Sequence, residues 1–251
     1  MTLSGWDQAG WLEISQKLNL ELPPVAVSFM IRPPEGMKKL EDVMAFCEML
    51  KHAQEGQAFY AGTENHTCPA GPYILGKSAP PAYTSGEFGT GLKVFDHTRT
   101  MRRLYDYIPK FDAGRHINYV AFSPLDHLTF EPDLLLILAG VDQADILLRA
   151  MSYSTGKIWT SKCTPVIGCA WIYTYPYLSG EVNVITTGMG HGMKRRKVLP
   201  PGRQLLTIPY DWFATMLLNL KTMPWVLPMF QPDAEDFLRN LKADLGIDSD
   251  Q

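Results

Sequence analysis

The sequence predicts a mixed α/β fold (α+β in detail), built from two related β-α-β halves around a shared sheet or cleft. Short apolar and β-branched runs bounded by Pro or Gly alternate with segments of helical periodicity. One order of features also occurs twice, about a hundred residues apart: a strand, a helix, a Gly with a β-prone piece, and a Cys. We expect one compact domain over residues 1–251, with halves near 20–115 and 116–210 and a helical C-terminal segment at 211–251.

Strands are predicted where Val, Ile, Leu and aromatic residues run together between breakers, at 25–30, 57–61, 118–125, 133–140, 156–163, 183–187 and 204–210. The run at 133–140 is apolar throughout, which is typical of a central strand covered on both faces. Helical periodicity predicts helices at 6–18, 39–54, 98–107, 142–152 and in two parts of 211–251. Residues 78–91 are rich in Gly, Pro, Ser and Thr and predict a long ordered flap, a kind of segment that often carries function.

The repeated order of features pairs individual residues of the two halves. Gly56 and Cys68 of the first half correspond in this pattern to Gly156 and Cys169 of the second. A site shared between the halves would therefore contain Cys68 and Cys169.

Composition and charge exclude several classes of partner. A net charge of −3 gives no basic field for nucleic acid or an anionic membrane. No apolar run approaches the roughly 20 residues that span a bilayer, and the first residues lack a signal-peptide pattern. Four cysteines in 251 residues are too few for a disulfide scaffold, so a cytoplasmic protein with free or metal-bound thiols is expected.

The cysteines Cys47, Cys68, Cys163 and Cys169 are the candidate metal ligands. They contain no Cys-x-x-Cys pair, so a metal site must be assembled from distant segments. Cys68 is the strongest candidate, because it lies in a polar turn after His66 and directly before a proline. Thiolates select iron–sulfur clusters, zinc or copper(I) over magnesium or calcium. Cys47 and Cys163 are equally compatible with simple core positions, since free cysteine packs as a small hydrophobe.

Two other kinds of chemistry stay open. Cys68 with His66 as its ion-pair partner would make a cysteine-nucleophile enzyme. A small anionic or aromatic molecule could instead bind between the halves, in a pocket lined by Tyr73, Trp171, Tyr173 and Tyr175. The glycine-spaced loop after strand 183–187 would anchor its charge, through the four residues Gly188, Gly190, Gly192 and Arg195.

Four ordered motifs resemble those of a domain-of-unknown-function family, number one hundred and sixty-nine, from archaea and anaerobic bacteria. They are Pro-Pro-Val-Ala-Val, Phe-Cys-Glu, His-x-Cys-Pro-x-Gly and Tyr-Pro-Tyr-Leu-x-Gly-Glu-x-Asn, spread over most of residues 20–210. The resemblance implies a soluble α/β protein and brings no established activity. It also implies that Cys47, Cys68 and Cys169 occupy recurrent cysteine positions of the family. Many members carry a further cysteine near Gly188, where this chain has none.

The expected function is therefore binding of a metal or iron–sulfur centre through cysteines, in a redox or accessory role. A small molecule or a redox partner protein would be its partner. The alternatives are the anion-binding or aromatic-binding module and the cysteine-nucleophile enzyme.

Overall fold

The computed structural model describes residues 7–186 and 191–247. Within them, six strands form one open sheet in the order β2-β3-β1-β4-β6-β5, and all neighbouring strands are antiparallel. The strands are β1 (Val25–Met30), β2 (Phe59–Gly62), β3 (Tyr119–Pro124), β4 (Leu134–Ala139), β5 (Asn183–Thr186) and β6 (Gln204–Pro209).

The two sides of the sheet repeat one topology. From the centre outward, one side has the order β1-β3-β2 and the other the order β4-β6-β5. In each side the middle strand is antiparallel to its two neighbours, which are therefore parallel to each other. β1 and β4 meet at the centre. Because β3 pairs with β1 and β2, it belongs to the first half of the sheet. The boundary between the two halves of the sheet therefore lies between Pro124 and Leu134, whereas the sequence pattern put it near residue 115.

Helices cover both faces of the sheet. The α-helices are α1 (Gln8–Leu18), α2 (Phe46–Gln54), α3 (Ala70–Ile74), α4 (Pro81–Thr84), α5 (Glu87–Gly91), α6 (Thr98–Tyr105), α7 (Val141–Ser152), α8 (Tyr175–Ser179), α9 (His191–Arg195), α10 (Phe213–Thr222) and α11 (Ala234–Leu245). A π-helical turn at Ala170–Thr174 leads into α8. The 3-10 turns are Thr63–Asn65, Ala113–Arg115, Leu125–His127, Tyr210–Trp212 and Pro228–Phe230.

The sheet separates two hydrophobic cores. α2, α3, α6 and the π-helical turn pack on one face, which we call the first face. α1, α7 and α10 pack on the other, the second face. β4 shows the period-two alternation of a strand, because Leu136 contributes to the first core and its neighbour Leu135 to the second. All six residues of β4 are buried, so the prediction of a central strand is confirmed.

The first face explains which helices correspond in the two halves. On this face, α2 lies in the connection from β1 to β2, and the π-helical turn lies in the connection from β4 to β5. α7, which the sequence pattern matched with α2, covers the second face instead. Cys47 at the start of α2 is therefore the topological counterpart of Cys169, and not Cys68 as the sequence pattern suggested.

Two predicted elements differ in the structure. The helix expected from residue 39 begins at Phe46, because residues before it run extended and form bridges between Lys39 and Tyr60 and between Met44 and His66. The strand expected at 156–163 has no ladder partner among the described residues. It is held to β5 by a side chain, since the Lys162 N–H donates to Asn183 Oδ1 at 2.9 Å.

The predicted flap at 78–91 contains the short helices α4 and α5. It docks on α6 where Gly86 has a φ of +87°. A Cβ at Gly86 would lie 2.3 Å from the carbonyl oxygen of Thr98, so only glycine allows this approach.

Candidate functional site: a cluster of three thiols

Three segments of the first face converge on the ring of Phe46, at the start of α2. The Tyr173 ring, from the π-helical turn, stacks on Phe46 with centroids 4.3 Å apart. The His66 imidazole, from the loop before α3, contacts it edge-on at 5.1 Å. Each segment carries a cysteine close in sequence to its ring: Cys47, Cys68 and Cys169.

Backbone hydrogen bonds hold the first two segments side by side. The Met44 N–H donates to the Asn65 carbonyl at 2.8 Å, and the Thr67 N–H donates to the Met44 carbonyl at 3.0 Å. The buried Asn65 side chain adds hydrogen bonds from its amide to Leu40 and Asp42. This pairing places Cys47 and Cys68, which are 21 residues apart in the sequence, in the same region of the fold.

The third cysteine is positioned through β5. The fully buried Asn183 side chain donates to the Trp171 carbonyl at 2.8 Å and to the Lys162 carbonyl at 2.9 Å. These bonds fix the π-helical turn, whose first residue follows Cys169. Both bonds need a side-chain amide, which explains the asparagine at the end of the Tyr-Pro-Tyr-Leu-x-Gly-Glu-x-Asn motif.

The three thiols also lie within range of electrostatic interaction with one another. Cys68 raises the pKa of Cys47, and both of these cysteines raise the pKa of Cys169. We call Cys47, Cys68 and Cys169 the thiol cluster. Burial is the main cause of these shifts: it raises the pKa of Cys47 to about 12 and that of Cys169 well above its ordinary value. Without a bound cation, Cys47 and Cys169 are therefore neutral thiols near neutral pH.

Cys163 packs against the same core as the thiol cluster but shows no interaction with its three cysteines. Its Sγ–H points to the Thr164 carbonyl at 3.6 Å, and burial raises its pKa. No cysteine of the cluster is among the groups that shift this pKa. Of the four sequence-predicted ligands, the fold thus brings three together and leaves Cys163 outside.

His66 is half-buried, and both nitrogens of its ring are enclosed. Burial lowers its pKa to about 4, and neither ring nitrogen has a hydrogen-bond partner among the described residues. An imidazole with so low a pKa is a weak acceptor for the Cys68 proton, which disfavours the thiolate–imidazolium pair of a cysteine nucleophile. The ring also explains the glycine of the His-x-Cys-Pro-x-Gly motif, because a Cβ at Gly71 would lie 2.3 Å from His66 Nδ1.

Arg196 provides positive charge beside the thiol cluster. Its Nε lies 3.3 Å from the Glu48 carboxylate, which itself accepts a hydrogen bond from the Ala45 N–H at 2.8 Å at the start of α2. Arg196 acts to lower the pKa of Cys47, against the larger effect of burial. The Arg196 side chain is 28% exposed, whereas Arg195 is an exposed residue.

The predicted anion loop is only partly described. Gly188 and Gly190 lie outside the described residues. Gly192 lies in α9, where its carbonyl accepts a hydrogen bond from Arg196 at 3.2 Å. The basic side chain beside the thiol cluster is thus Arg196, the residue after the predicted Arg195.

Two tyrosines complete the surroundings of the thiols. Tyr173 is fully buried, interacts electrostatically with Cys47 and Cys169, and has no hydrogen-bond partner for its hydroxyl among the described residues. Tyr83 comes from the flap, where its ring stacks on Phe88 at 4.4 Å. Burial raises the pKa of Tyr83 to about 12; Cys68 and Cys169 act in the same direction, and Arg196 acts to lower it.

The aromatic residues proposed for a ligand pocket pack mainly against protein. Trp171 is buried and donates its indole N–H to Thr164 at 2.8 Å, and Tyr73 packs edge-on against Tyr105. Lys162 lies over the Tyr175 ring.

Two surface cavities lie elsewhere. One of about 500 Å³ adjoins α1 and residues 19–24, and one of about 440 Å³ is lined by Ser28, Asp133 and Tyr210 among others.

The thiol cluster is not preformed as a metal site. Over residues 7–186 and 191–247, no group of three or more His, Cys, Asp or Glu side chains has an arrangement that would hold a metal ion. A metal would have to draw the three sulfurs together, as expected where binding is coupled to ordering of the ligands.

Sequence reasoning missed Glu48 and Tyr83, and from the basic run at 194–197 it selected Arg195 in place of Arg196. Glu48 had a local signal, because a Glu at the third position of a helix often accepts from the backbone at its start. Arg196 and Tyr83 reach the thiols through long-range packing, which has no local signature.

The chain was also compared with known proteins. No curated protein and no solved structure matches it. In the part of the chain that the structure describes, no helix has both the length and the apolar character needed to cross a membrane. One family model matches residues 13–219, that of DUF169, described as uncharacterised ArCR. This match contains all six strands and every residue of the thiol cluster, and the chain therefore belongs to the DUF169 family.

Proposed function

We propose that the protein binds a soft metal ion or an iron–sulfur centre through Cys47, Cys68 and Cys169, in a redox or accessory role. The observation that carries the proposal is that three separate segments, each with a cysteine, converge on the Phe46 ring of the first core. Packing alone does not require three sulfur side chains to meet there, because any small apolar residue fills such positions.

Charge supports a cation in this position. Negative charges on the three sulfurs would repel one another, as their mutual effects on pKa indicate. A bound cation removes this repulsion and deprotonates coordinating thiols outright. Thiolates favour zinc, copper(I) or iron–sulfur clusters. Arg196 would offset part of the remaining negative charge.

The free cysteines also bear on the cellular location of the protein. All four cysteines are free, as expected in a reducing environment, and we propose a cytoplasmic location. A small molecule or a redox partner protein would be the partner of the centre.

Serine variants of the four cysteines test the proposal. Protein purified without oxygen is analysed for zinc, iron and sulfide, before and after reconstitution. Cys47→Ser, Cys68→Ser and Cys169→Ser are each expected to lose most of the bound metal. Cys163→Ser is the matched control, since Cys163 is also partly buried but lies outside the cluster, and it should retain the wild-type content.

Two results would contradict the proposal. Wild-type protein that takes up no metal after reconstitution would exclude a metal centre. Equal metal loss in Cys163→Ser and in the three cluster variants would show that the cluster does not select the ligands.

A further inference from the structure

The C-terminal helix α11 presents an apolar side to solvent. Its large apolar residues lie on one side of the helix, at the spacing i, i+1, i+4 and i+8: Phe237, Leu238, Leu241 and Leu245. The exposed fractions of these four residues are 38%, 37%, 41% and 62%, and α11 buries none of its residues. We call these four residues the α11 stripe.

A helix of this length needs a partner. Isolated helices of 12 residues are only marginally stable in water, and most helices gain their stability by packing an apolar side. Among the helices and strands of residues 7–186 and 191–247, α11 makes its main contact with the short turn Pro228–Phe230. Phe230 is itself 73% exposed, so this turn extends the apolar surface and does not cover it.

Two residues of opposite charge lie beside the α11 stripe. Glu235 in the first turn and Lys242 in the last turn are one heptad apart, so both lie on the same flank of the stripe. The salt bridges within the described residues involve neither of them. Asp236 and Arg239 pair with each other on the opposite side of the helix.

The α11 stripe is complementary to itself when two copies of the helix run antiparallel. A two-fold axis between Leu238 and Leu241 places each of these leucines against the other one in the second copy. Ala234 then faces Leu245 of the second copy. Small and large apolar residues thus meet along the whole contact.

The antiparallel arrangement also pairs opposite charges. Glu235 of each copy lies beside Lys242 of the other copy, which gives two pairs by symmetry. A parallel arrangement would instead place the acidic first turns of the two helices side by side, together with the positive ends of both helix dipoles. Charge therefore favours the antiparallel pair.

We infer that the protein forms a weak homodimer in which the α11 stripe pairs antiparallel with the α11 stripe of a second copy of this chain. A helix of 12 residues is about 18 Å long, so this contact is smaller than the roughly 800 Å² per partner of a standard interface. The expected dissociation constant is roughly 0.1 mM. The dimer needs no metal, and α11 lies outside residues 13–219, which the family model matches.

Sedimentation equilibrium of the full chain, from roughly 1 µM to 1 mM, measures the association. Leu241→Lys places a charge from each copy in the apolar contact and should weaken association roughly tenfold or more. Leu12→Lys is the matched control, because Leu12 is an exposed leucine of another helix, α1, and it should leave association unchanged.

Melting temperatures at low micromolar concentration, where the chain is monomeric, show whether the variants still fold. Leu241→Lys should melt at the wild-type temperature, because α11 buries none of its residues. A clear fall would show that Leu241 packs within its own chain, which would overturn the inference.

Charge reversals test the antiparallel orientation. Glu235→Lys and Lys242→Glu each convert both charge pairs into like charges and should weaken association roughly tenfold. An equimolar mixture of these two variants restores opposite charges, since one copy then has lysine and the other glutamate at both positions. The mixture, and the double variant Glu235→Lys/Lys242→Glu, should associate within about threefold of wild type. Reversed charges near the helix ends also weaken the helix itself, but that effect cannot produce the recovery.

Three further results would overturn the inference. Wild-type protein that stays monomeric over the whole concentration range would leave the α11 stripe to a different partner. Wild-type association in Leu241→Lys would place the contact elsewhere. A mixture of the two charge variants that associates no more tightly than either variant alone would exclude the antiparallel pair.

Discussion

Gly71 gives the sharpest test of how the thiol cluster is packed. The substitution Gly71→Ala adds one methyl group, whose carbon would lie 2.3 Å from His66 Nδ1, 2.9 Å from its Cε1 and 3.1 Å from Phe46 Cβ. Real carbon contacts are near 3.5 Å or longer. The imidazole packs edge-on against Phe46, so a ring that turns away from the added methyl group loses this contact.

The expected loss of stability combines two opposing effects. Overpacking of a filled core costs about 1–3 kcal/mol. Alanine in a helix gains up to about 1 kcal/mol over glycine. The net expectation for Gly71→Ala is a decrease of about 1–2 kcal/mol in the free energy of unfolding, together with weaker metal uptake.

Urea unfolding at neutral pH measures the effect, and two further variants identify its cause. Gly91→Ala is the control, because Gly91 also lies in a short helix, but its added carbon would meet no atom within 4 Å. It should be neutral or slightly stabilising. In the His66→Ala background, Gly71→Ala should cost much less, because the two closest atoms, both of the His66 ring, are gone. An unchanged cost in that background, or wild-type stability of Gly71→Ala, would refute the packing argument.

Three further outcomes are expected. Burial raises the pKa of Asp133, so the folded protein holds this proton more tightly than the unfolded chain, and stability should fall as pH rises above the ordinary value of 3.8. Urea midpoints between pH 3 and 7 should show this decline as a fall in the stability of wild type relative to Asp133→Asn, since the lowered pKa values of Asp7 and Glu64 act in the opposite direction on both proteins. Asn183→Ala removes three hydrogen bonds of 2.8–2.9 Å and should lower the free energy of unfolding by about 3 kcal/mol, whereas Asn118→Ala, at an exposed bond, should stay within about 0.5 kcal/mol. Deletion of residues 232–251 should lower the melting temperature by no more than about 2 °C, because α11 buries none of its residues; a larger fall would show that α11 supports the fold.

The sequence predicted the strands well where composition and boundaries agreed. The strand at 25–30 lies between prolines and is found with the same bounds, and the apolar run at 133–140 became the central strand β4. In both places a local pattern was enough, because an apolar run bounded by breakers has few alternatives in a sheet.

Local pattern failed where side chains from elsewhere decide the backbone. Residues 39–45 have helical periodicity, but the strand β2 and residue His66 provide bridge partners that keep them extended. Residues 156–163 have strand composition, but the Asn183 side chain takes the hydrogen bonds that a neighbouring strand would otherwise take. Both outcomes depend on contacts across more than 20 residues of sequence.

The sequence predicted that the candidate site contains cysteines, but it did not predict which of the four cysteines lie together. Cys68 and Cys169 were expected to share a site, and Cys47 was equally compatible with a core position. In the structure, Cys47 interacts with these two cysteines and Cys163 does not. The reason is that α2 and the π-helical turn, which pack on the first face in the two corresponding connections, carry Cys47 and follow Cys169. Chain order alone cannot show on which face of a sheet a connection passes.

The strand order also has a consequence for how the chain is made. The half-sheet β2-β3-β1 is complete at Pro124, and β4 follows only ten residues later. The other edge of β4 pairs with β6, which begins at Gln204, 65 residues after β4 ends at Ala139. At a synthesis rate of about 5–20 residues per second, this apolar strand presents an unpaired edge on the nascent chain for roughly 3–13 s. Chaperone binding during synthesis is therefore expected to act on β4 in that interval, before β6 closes the sheet.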